Sequence, residues 1–276
     1  KIRVVFGARE KSGGPADIHF MDVDPNHPAD ILHFQKTPVL SRGTTGCFDQ
    51  DGVLPVCVKK ADDRYFLYYG GFSKLSGTHF CMMGLAISDD NCKTFSKLSE
   101  GPVLPISRID PFLIGSADIV LHKGIWHMIY TSGTKWSSIG MSTEISYTLK
   151  YSFSKNGIDW SPTGQVIFPQ EDQHAAYAKP SIFRLNDKFI MYFSKRQIIN
   201  YRQKGHGAYA LGFATSNDLV NWSRDDSQAG IEVSDEGWDS EMICYPNIID
   251  VGGRYLMFYN GNGFGQSGIG FAELEK

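Results

Sequence analysis

The sequence has no excess of positive charge and no long uninterrupted apolar run. Its 276 residues include 27 Lys and Arg against 30 Asp and Glu, which gives a net charge of -3. Without a basic stripe, a nucleic-acid partner is not expected, and a small molecule or glycan suits this charge balance better. No apolar run approaches membrane-spanning length, and no signal peptide is visible, so no membrane span is expected.

Cysteine is scarce and scattered. The five cysteines are odd in number and lack any C-x-x-C spacing, and the eight histidines lack the spacing of metal ligands. We therefore expect no disulfide framework, no metal site and no cofactor. Cysteine usage of this kind favours a reducing compartment and hence a cytoplasmic location. The cysteines are Cys47, Cys57, Cys81, Cys92 and Cys244.

An apolar, aromatic, β-prone run recurs five times along the chain. Its second copy reads Tyr65-Phe66-Leu67-Tyr68-Tyr69-Gly70-Gly71. The intervals between the aligned aromatic residues are 63, 61, 63 and 66, by subtraction of their positions. A near-constant period of this size indicates a repeat architecture, and strand-rich repeats close most naturally into a propeller. The aligned residues are Phe6, Tyr69, Tyr130, Phe193 and Tyr259.

Each repeat has the same order of elements. A first strand, often with proline near its start, precedes the aromatic strand, and a third strand and an outer strand follow. The first copy lacks its first strand, which we expect upstream of Lys1, and the last copy stops after its third strand. The sequence therefore predicts an all-β fold, a single five-bladed β-propeller domain over 1–276 with four-stranded antiparallel blades. A β-sandwich or irregular barrel would explain the strands but not the period.

Residues far apart in sequence are expected to meet at one rim of this propeller. The starts of the first strands and the loops after the second strands share one face, so their polar side chains should converge there. The carboxylates are candidates for acid, base or nucleophile: Asp49, Asp51, Asp118 and Glu241. The aromatic, cationic and amide side chains are candidates for substrate binding: Arg9, Trp136, Tyr177, Lys179, Arg196, Trp238, Asp239, Asn260 and Asn262.

A structural interpretation of these residues stays open beside the functional one. Asp49 and Asp51 also fit ordinary turn positions, and Glu241 also fits a solvated loop. Asp118 interrupts an apolar strand, where a buried carboxylate needs a partner or a role. If the carboxylates do converge, like charges would raise the pKa of at least one of them, as a general acid requires.

Three stretches carry a resemblance to a known family. They are Gly43 to Pro55, the Gly-x-Ala-x-Ser third strands, and Cys244-Tyr245-Pro246 with the later Phe258-Tyr259-Asn260-Gly261-Asn262. The chain resembles the five-bladed propeller glycosidases, which include invertases, arabinanases, β-xylosidases and mannoside phosphorylases. It is most similar to uncharacterised glycosidase-like proteins found with bacterial surface-polysaccharide genes. The resemblance covers nearly the whole chain.

The resemblance implies roles for the acidic residues. Asp49 or Asp51 matches the aspartate that serves as base or nucleophile, Asp118 the aspartate that tunes it, and Glu241 lies near the acid. The Glu-Cys-Pro motif of the family is replaced here by Ala178-Lys179-Pro180 and Cys244-Tyr245-Pro246.

Two functions follow as hypotheses. The first is a glycoside hydrolase-type enzyme acting on a carbohydrate. The alternative is an inactive glycan-binding propeller, or a phosphorylase or transferase that would use the basic loop of Lys195, Arg196, Arg202 and Lys204 for phosphate. A sialidase-like interpretation rests on the Asp-box-like segment from Ser88 to Phe95.

Overall fold

A computed structural model describes residues 1–11, 14–75, 78–169, 175–202, 205 and 207–275. The protein forms two compact units, the first made of residues 1–116 and 155–160 and the second of residues 117–154 and 161–276. Lys204 of the predicted basic loop and the last residue lie outside the described residues. No described helix is long and apolar enough to cross a membrane.

The strands form five antiparallel sheets, which are the blades of a five-bladed β-propeller. Three sheets have four strands, and the first and last have three, as the incomplete first and last repeats predicted. The predicted near-absence of helix is confirmed for the described residues, because only one 3₁₀ turn and one short helical segment occur. The single-domain assignment and the strand expected upstream of Lys1 stay predictions.

The first unit contains blades 1 and 2. Blade 1 has the strand order β1-β2-β3, and blade 2 has the order β4-β5-β6-β7. The bounds are β1 Ile2–Arg9, β2 Ala16–Val23, β3 Ile31–Phe34, β4 Gly52–Ala61, β5 Arg64–Leu75, β6 Thr78–Ser88 and β7 Ser96–Lys97.

The second unit contains blades 4 and 5 and most of blade 3. Blade 3 consists of β8 Ile114–His122, β9 Ile125–Ile139, β10 Ser142–Ser154 and β11 Ser161–Val166. Blade 4 consists of β12 Ala175–Leu185, β13 Lys188–Gln197, β14 Ala210–Ser216 and β15 Trp222–Arg224. Blade 5 consists of β16 Cys244–Val251, β17 Arg254–Asn260 and β18 Ile269–Glu273. The 3₁₀ turn spans Asp226–Gln228 and the short helix α1 spans Asn262–Gly265.

The repeated aromatic residue packs against a glycine of the third strand. Tyr69 pairs with Gly84 and Phe193 pairs with Gly212 across neighbouring strands, and both rings are fully buried. A Cβ atom added at either glycine would overlap the ring of its aromatic partner. In blades 2 and 4 the missing side chain therefore makes the space that the aromatic ring fills. This packing explains the glycine of the Gly-apolar-Ala sequence in the third strands of these two blades.

The polar turn after the third strand also recurs. Asp90 accepts hydrogen bonds from the backbone N–H groups of Lys93 and Thr94, and Asp218 accepts them from Val220 and Asn221. The pKa of Asp218 is lowered to about 2, chiefly by the hydrogen bond that it accepts from the Asn221 N–H. The segment from Ser88 to Phe95 is thus one copy of a turn that follows the third strand in blades 2 and 4. This turn accounts for the likeness of the segment to an Asp-box.

The glycine packing predicts the effect of adding one methyl group. Gly84→Ala should lower the free energy of unfolding by about 1–3 kcal/mol, because the buried Tyr69 ring occupies the space of the new Cβ atom. Gly101→Ala is the matched control, since nothing lies within 4 Å of its added Cβ atom. Urea unfolding of both variants measures the difference, and equal stabilities would contradict the packing argument.

Candidate functional site

The predicted site residues divide between the two units. Arg9, Asp49 and Asp51 lie in the first unit, and the other ten lie in the second. Their convergence at one rim stays a prediction, and so do their roles. The contacts inside each unit nevertheless show which of these side chains hold the backbone in place.

Asp49 is a buried acceptor at the start of blade 2. Its Oδ2 atom accepts hydrogen bonds from Lys97 Nζ at 2.6 Å and from the Tyr69 hydroxyl at 3.1 Å. Asp51 accepts a bond from the backbone N–H of Lys74 at 2.8 Å. Arg9 donates to the carbonyl of Gly14 at 3.0 Å. In the first unit, the candidate side chains therefore make contacts that fix neighbouring loops.

Blade 5 repeats the arrangement around Asp49. Asp239 Oδ2 accepts a hydrogen bond from the Tyr259 hydroxyl at 2.9 Å, across the same interval of 20 residues that separates Asp49 from Tyr69. The Trp238 ring packs on Tyr259 with centroids 5.2 Å apart. Burial raises the pKa of Tyr259 to about 12, and its bond to Asp239 adds to this effect. The aromatic-Asp pair is thus a repeated structural element, and Glu241 in blade 5 occupies the position of Asp51.

Asp118 joins the first strands of two neighbouring blades. It is 6% exposed, and its two oxygens accept the backbone N–H groups of Ile119 at 2.8 Å and Ile182 at 2.6 Å. Ser181 does the same in the next blade, where its hydroxyl accepts the N–H of Ile248 at 2.9 Å. Asp118 and Ser181 therefore occupy equivalent positions, and both connect first strands within the second unit.

The first strands of blades 4 and 5 contain bulges at matching positions. The register shifts between Ala178 and Ser181 in blade 4 and between Cys244 and Asn247 in blade 5. Lys179 and Tyr245 occupy these bulges with φ angles of +49° and +59°, which are unfavourable for residues other than glycine. Bulges of this kind occur beside active sites, where they redirect a side chain.

Arg196 lies at the end of the second strand of blade 4 and is only 6% exposed. Its Nε atom donates to the hydroxyls of Tyr147 at 2.8 Å and Tyr209 at 3.1 Å. Its terminal nitrogens donate to the carbonyls of Gln197 and Ile145 at 3.0 Å and 3.2 Å. A charged side chain this deep in the protein is costly unless its surroundings compensate it.

Aromatic rings surround this guanidinium. Its central carbon lies 3.8 Å from the centroid of the Tyr201 ring and 4.8 Å from that of Tyr147. The rings of Tyr245 and Phe264 pack on Tyr209 with centroids 5.6 Å and 5.8 Å away. Burial would lower the pKa of Arg196, but the oxygens of Tyr147 and Tyr209 outweigh it and raise that pKa. Arg196 is therefore a fixed positive charge inside an aromatic cluster.

A carboxylate lies beside this cluster. Glu144, which is 9% exposed, accepts a hydrogen bond from the Tyr201 hydroxyl at 2.8 Å and pairs with Arg202 at 2.7 Å. Burial raises the pKa of Tyr201, so the tyrosine stays protonated and donates to Glu144. We call Arg196, Tyr147, Tyr201, Tyr209 and Glu144 the Arg196 cluster.

The loop after the second strand of blade 5 reaches the Arg196 cluster through Phe264. Asn262 Oδ1 accepts the N–H groups of Glu241 and Met242 at 2.8 Å and 3.2 Å. The Asn260 side-chain amide donates to the Phe264 carbonyl at 3.0 Å, and Phe264 itself has φ of +63°. Asn260 and Asn262 thus hold a strained loop whose aromatic side chain packs on the cluster.

Two sequence relatives identify the family. No family model matches the chain. The proteins Rv1502 and MT1551 of Mycobacterium tuberculosis, both described as uncharacterized, are each 30% identical to it over 278 residues. The match covers the whole of this chain and 88% of each mycobacterial protein. The chain belongs to their family.

Solved structures with the same fold include glycoside hydrolases. A complex of BT0996 with RGII superposes with a TM-score of 0.79 at 18% identity, over 99% of this protein and 84% of that one. A second structure, described as a glycoside hydrolase, gives 0.78 at 17% identity with the same coverage. A thermostable family-43 glycoside hydrolase gives 0.67 at 13% identity, over 100% of this protein and 91% of that one. The predicted resemblance to five-bladed propeller glycosidases is confirmed for the fold.

Sequence reasoning missed most of the Arg196 cluster in this family member. Arg196 was predicted, whereas Tyr147, Tyr201, Tyr209 and Glu144 were not. The usable signal was the density of tyrosine around the basic loop, from Tyr201 to Tyr209. The hairpin of β9 and β10, which brings Glu144 and Tyr147 to the site, is longer than its counterparts in the other blades.

The predicted side chains of Trp136 and Tyr177 make contacts outside the Arg196 cluster. Trp136 pairs in register with Ile145 on that hairpin and is half-buried. The Tyr177 hydroxyl accepts a hydrogen bond from Arg224 at 3.0 Å. A shallow cleft of about 340 Å³ lies in the first unit, where Asp89 and Lys97 are among its lining residues. None of the residues that line it is a predicted site residue, although Lys97 is ion-paired with Asp49.

The equivalence of Asp118 and Ser181 predicts a graded effect on stability. Asp118→Ala should lower the free energy of unfolding by about 1–3 kcal/mol, because two buried N–H groups lose their acceptor. Asp118→Ser should lose less, since a serine hydroxyl performs the same function at position 181. Urea unfolding measures both variants, and an unchanged midpoint for Asp118→Ala would contradict the structural role.

Proposed function

We propose that the protein is a carbohydrate-active enzyme of the glycoside hydrolase type. The observation that carries the proposal is the buried Glu144 carboxylate, which lies between a tyrosine hydroxyl and Arg202 beside an aromatic cluster. The fold shared with glycoside hydrolases supports the same function. Carboxylates perform the chemistry of most such enzymes, and aromatic faces cover the apolar sides of sugar rings.

Two carboxylates of the second unit suit the two chemical roles. Glu144 is ion-paired with Arg202 at 2.7 Å and suits a base or nucleophile. Glu241 is exposed, on a loop whose backbone Asn262 fixes, and suits the acid that protonates the leaving oxygen. Asp51 stays a candidate in the first unit. Asp49 and Asp118 are better suited to structural roles, because Asp118 binds two backbone N–H groups and Asp49, which is 1% exposed, binds the Lys97 and Tyr69 side chains.

A glycan-binding protein without catalysis is the second candidate. It is favoured by the structural hydrogen bonds of Asp49 and Asp118, two of the aspartates that match acting residues of the resembling glycosidases. Binding alone needs the aromatic cluster and the guanidinium but neither a base nor an acid. The two functions therefore differ in how they depend on Glu144 and Glu241.

Conversion of the carboxylates to amides tests the proposal. A panel of chromogenic glycosides would identify a hydrolysed substrate, and a glycan array would identify bound glycans. Glu144→Gln and Glu241→Gln should each lower turnover by about 10²–10⁴-fold, because an amide cannot transfer the proton or attack as a carboxylate does. Glu232→Gln, an exposed glutamate of the same unit, is the control and should leave turnover unchanged.

Two results would contradict hydrolysis at this site. Full turnover in both variants would remove these carboxylates from the mechanism. Glycan binding without hydrolysis of any glycoside in the panel, unaffected by either substitution, would establish the binding protein instead.

A further inference from the structure

Arg224 and Arg196 of the second unit both lie among aromatic rings, and they differ in whether a carboxylate pairs with the guanidinium. Arg224 is bonded to both oxygens of Asp226 along one side of its guanidinium, at 2.9 Å from Nε and 2.6 Å from Nη2. Its central carbon lies 4.8 Å from the Tyr177 ring centroid and 5.5 Å from that of Phe193. Arg224 therefore shows how this fold compensates a half-buried guanidinium, with a carboxylate that binds it at two points.

Arg196 has the aromatic surroundings but no such carboxylate among the described residues. Its hydrogen-bond partners are all neutral: the hydroxyls of Tyr147 and Tyr209 and the carbonyls of Gln197 and Ile145. A guanidinium has five N–H groups, and these contacts use Nε and one N–H of each terminal nitrogen. One N–H on Nη1 and one on Nη2 are left to donate to the oxygens of an anion.

The neighbouring carboxylates are already paired with other residues. Glu144 is bound by Tyr201 and Arg202. Asp226 is bound by Lys195 as well as by Arg224, and although burial would raise its pKa, these cations lower it to about 2. The described carboxylates of this region are thus held away from Arg196. The hydrogen bond from Nη1 to Gln197 is only partly buried, so this end of the guanidinium lies nearest to solvent.

We propose that Arg196 determines specificity by binding the carboxylate of an acidic sugar, such as a uronic acid residue. This inference rests on the proposed function and names its substrate class. A carboxylate has two oxygens that can accept the two remaining N–H groups, and a charge-assisted hydrogen bond of this kind is stronger than a neutral one. The aromatic rings of the Arg196 cluster exclude water around this bond and offer apolar faces to the sugar ring.

A binding experiment with matched sugars tests the inference without requiring turnover. Calorimetric titration would compare methyl β-D-glucuronide and methyl α-D-galacturonide with methyl β-D-glucoside and methyl α-D-galactoside, which differ only in the carboxylate. At least one uronide should bind about 10- to 100-fold more tightly than its neutral counterpart, as expected for charge-assisted hydrogen bonds. Arg196→Lys keeps the charge but loses the planar pair of donors, and should remove most of this preference.

Two further variants keep the test decisive. Arg224→Lys changes the other arginine that lies among aromatic rings, and this variant should keep the preference for the uronide. Tyr147→Phe removes one hydroxyl that orients Arg196 and should weaken uronide binding several-fold while leaving the neutral sugar unaffected. If Arg196→Lys fails to fold, as shown by circular dichroism, Tyr147→Phe alone supplies the comparison.

Several outcomes would overturn the inference. They are equal affinity for acidic and neutral sugars, no measurable binding of either uronide, an unchanged preference in the folded variants, or equal competition by inorganic phosphate. Hydrolysis of neutral glycosides without a preference for uronides would refute the inference and leave the proposed function intact. A uronide preference without hydrolysis would retain the inference and refute hydrolysis.

Discussion

The packing of a second-strand ring against a third-strand glycine is the constraint on which blades 2 and 4 depend. It fixes the register of Tyr69 with Gly84 and of Phe193 with Gly212. In blades 2 and 5 the same ring position carries a tyrosine, whose hydroxyl extends to the buried aspartate that precedes the first strand. One packing rule thereby sets strand pairing and also holds the loops that lead into the blades. The loops around the site are consequently attached to the most rigid part of each blade.

The site arises where the blades depart from this rule. Bulges in the first strands of blades 4 and 5 place Lys179 and Tyr245 in left-handed conformations, and the loop of blade 5 does the same with Phe264. The hairpin of β9 and β10 is longer than its counterparts and contributes Glu144 and Tyr147. These irregularities gather four tyrosines, a phenylalanine and a carboxylate around Arg196. Residues with strained backbone conformations therefore lie beside the Arg196 cluster, as is common at functional sites.

Much of the fold could be predicted from the sequence, because period, glycine placement and turn residues are local signals. The strands around Tyr69, Tyr130, Phe193 and Tyr259 and the incomplete end blades were predicted and are present. The site was less predictable. The equivalence of Asp118 to Ser181 was hidden because the residues differ, and it emerges only from which backbone N–H each one accepts. The Arg196 cluster depends on side-chain directions in blades 3 and 4, which no sequence interval encodes.

Carbohydrate binding at the Arg196 cluster of the second unit is the central claim. A crystal structure of the protein soaked with the glycan that binds best on an array tests it most directly. We expect a sugar residue within hydrogen-bond distance of the Arg196 guanidinium and in contact with the rings of Tyr201 or Phe264. A glycan bound elsewhere, for example in the cleft beside Asp89 and Lys97, with the Arg196 cluster unoccupied, would contradict the claim.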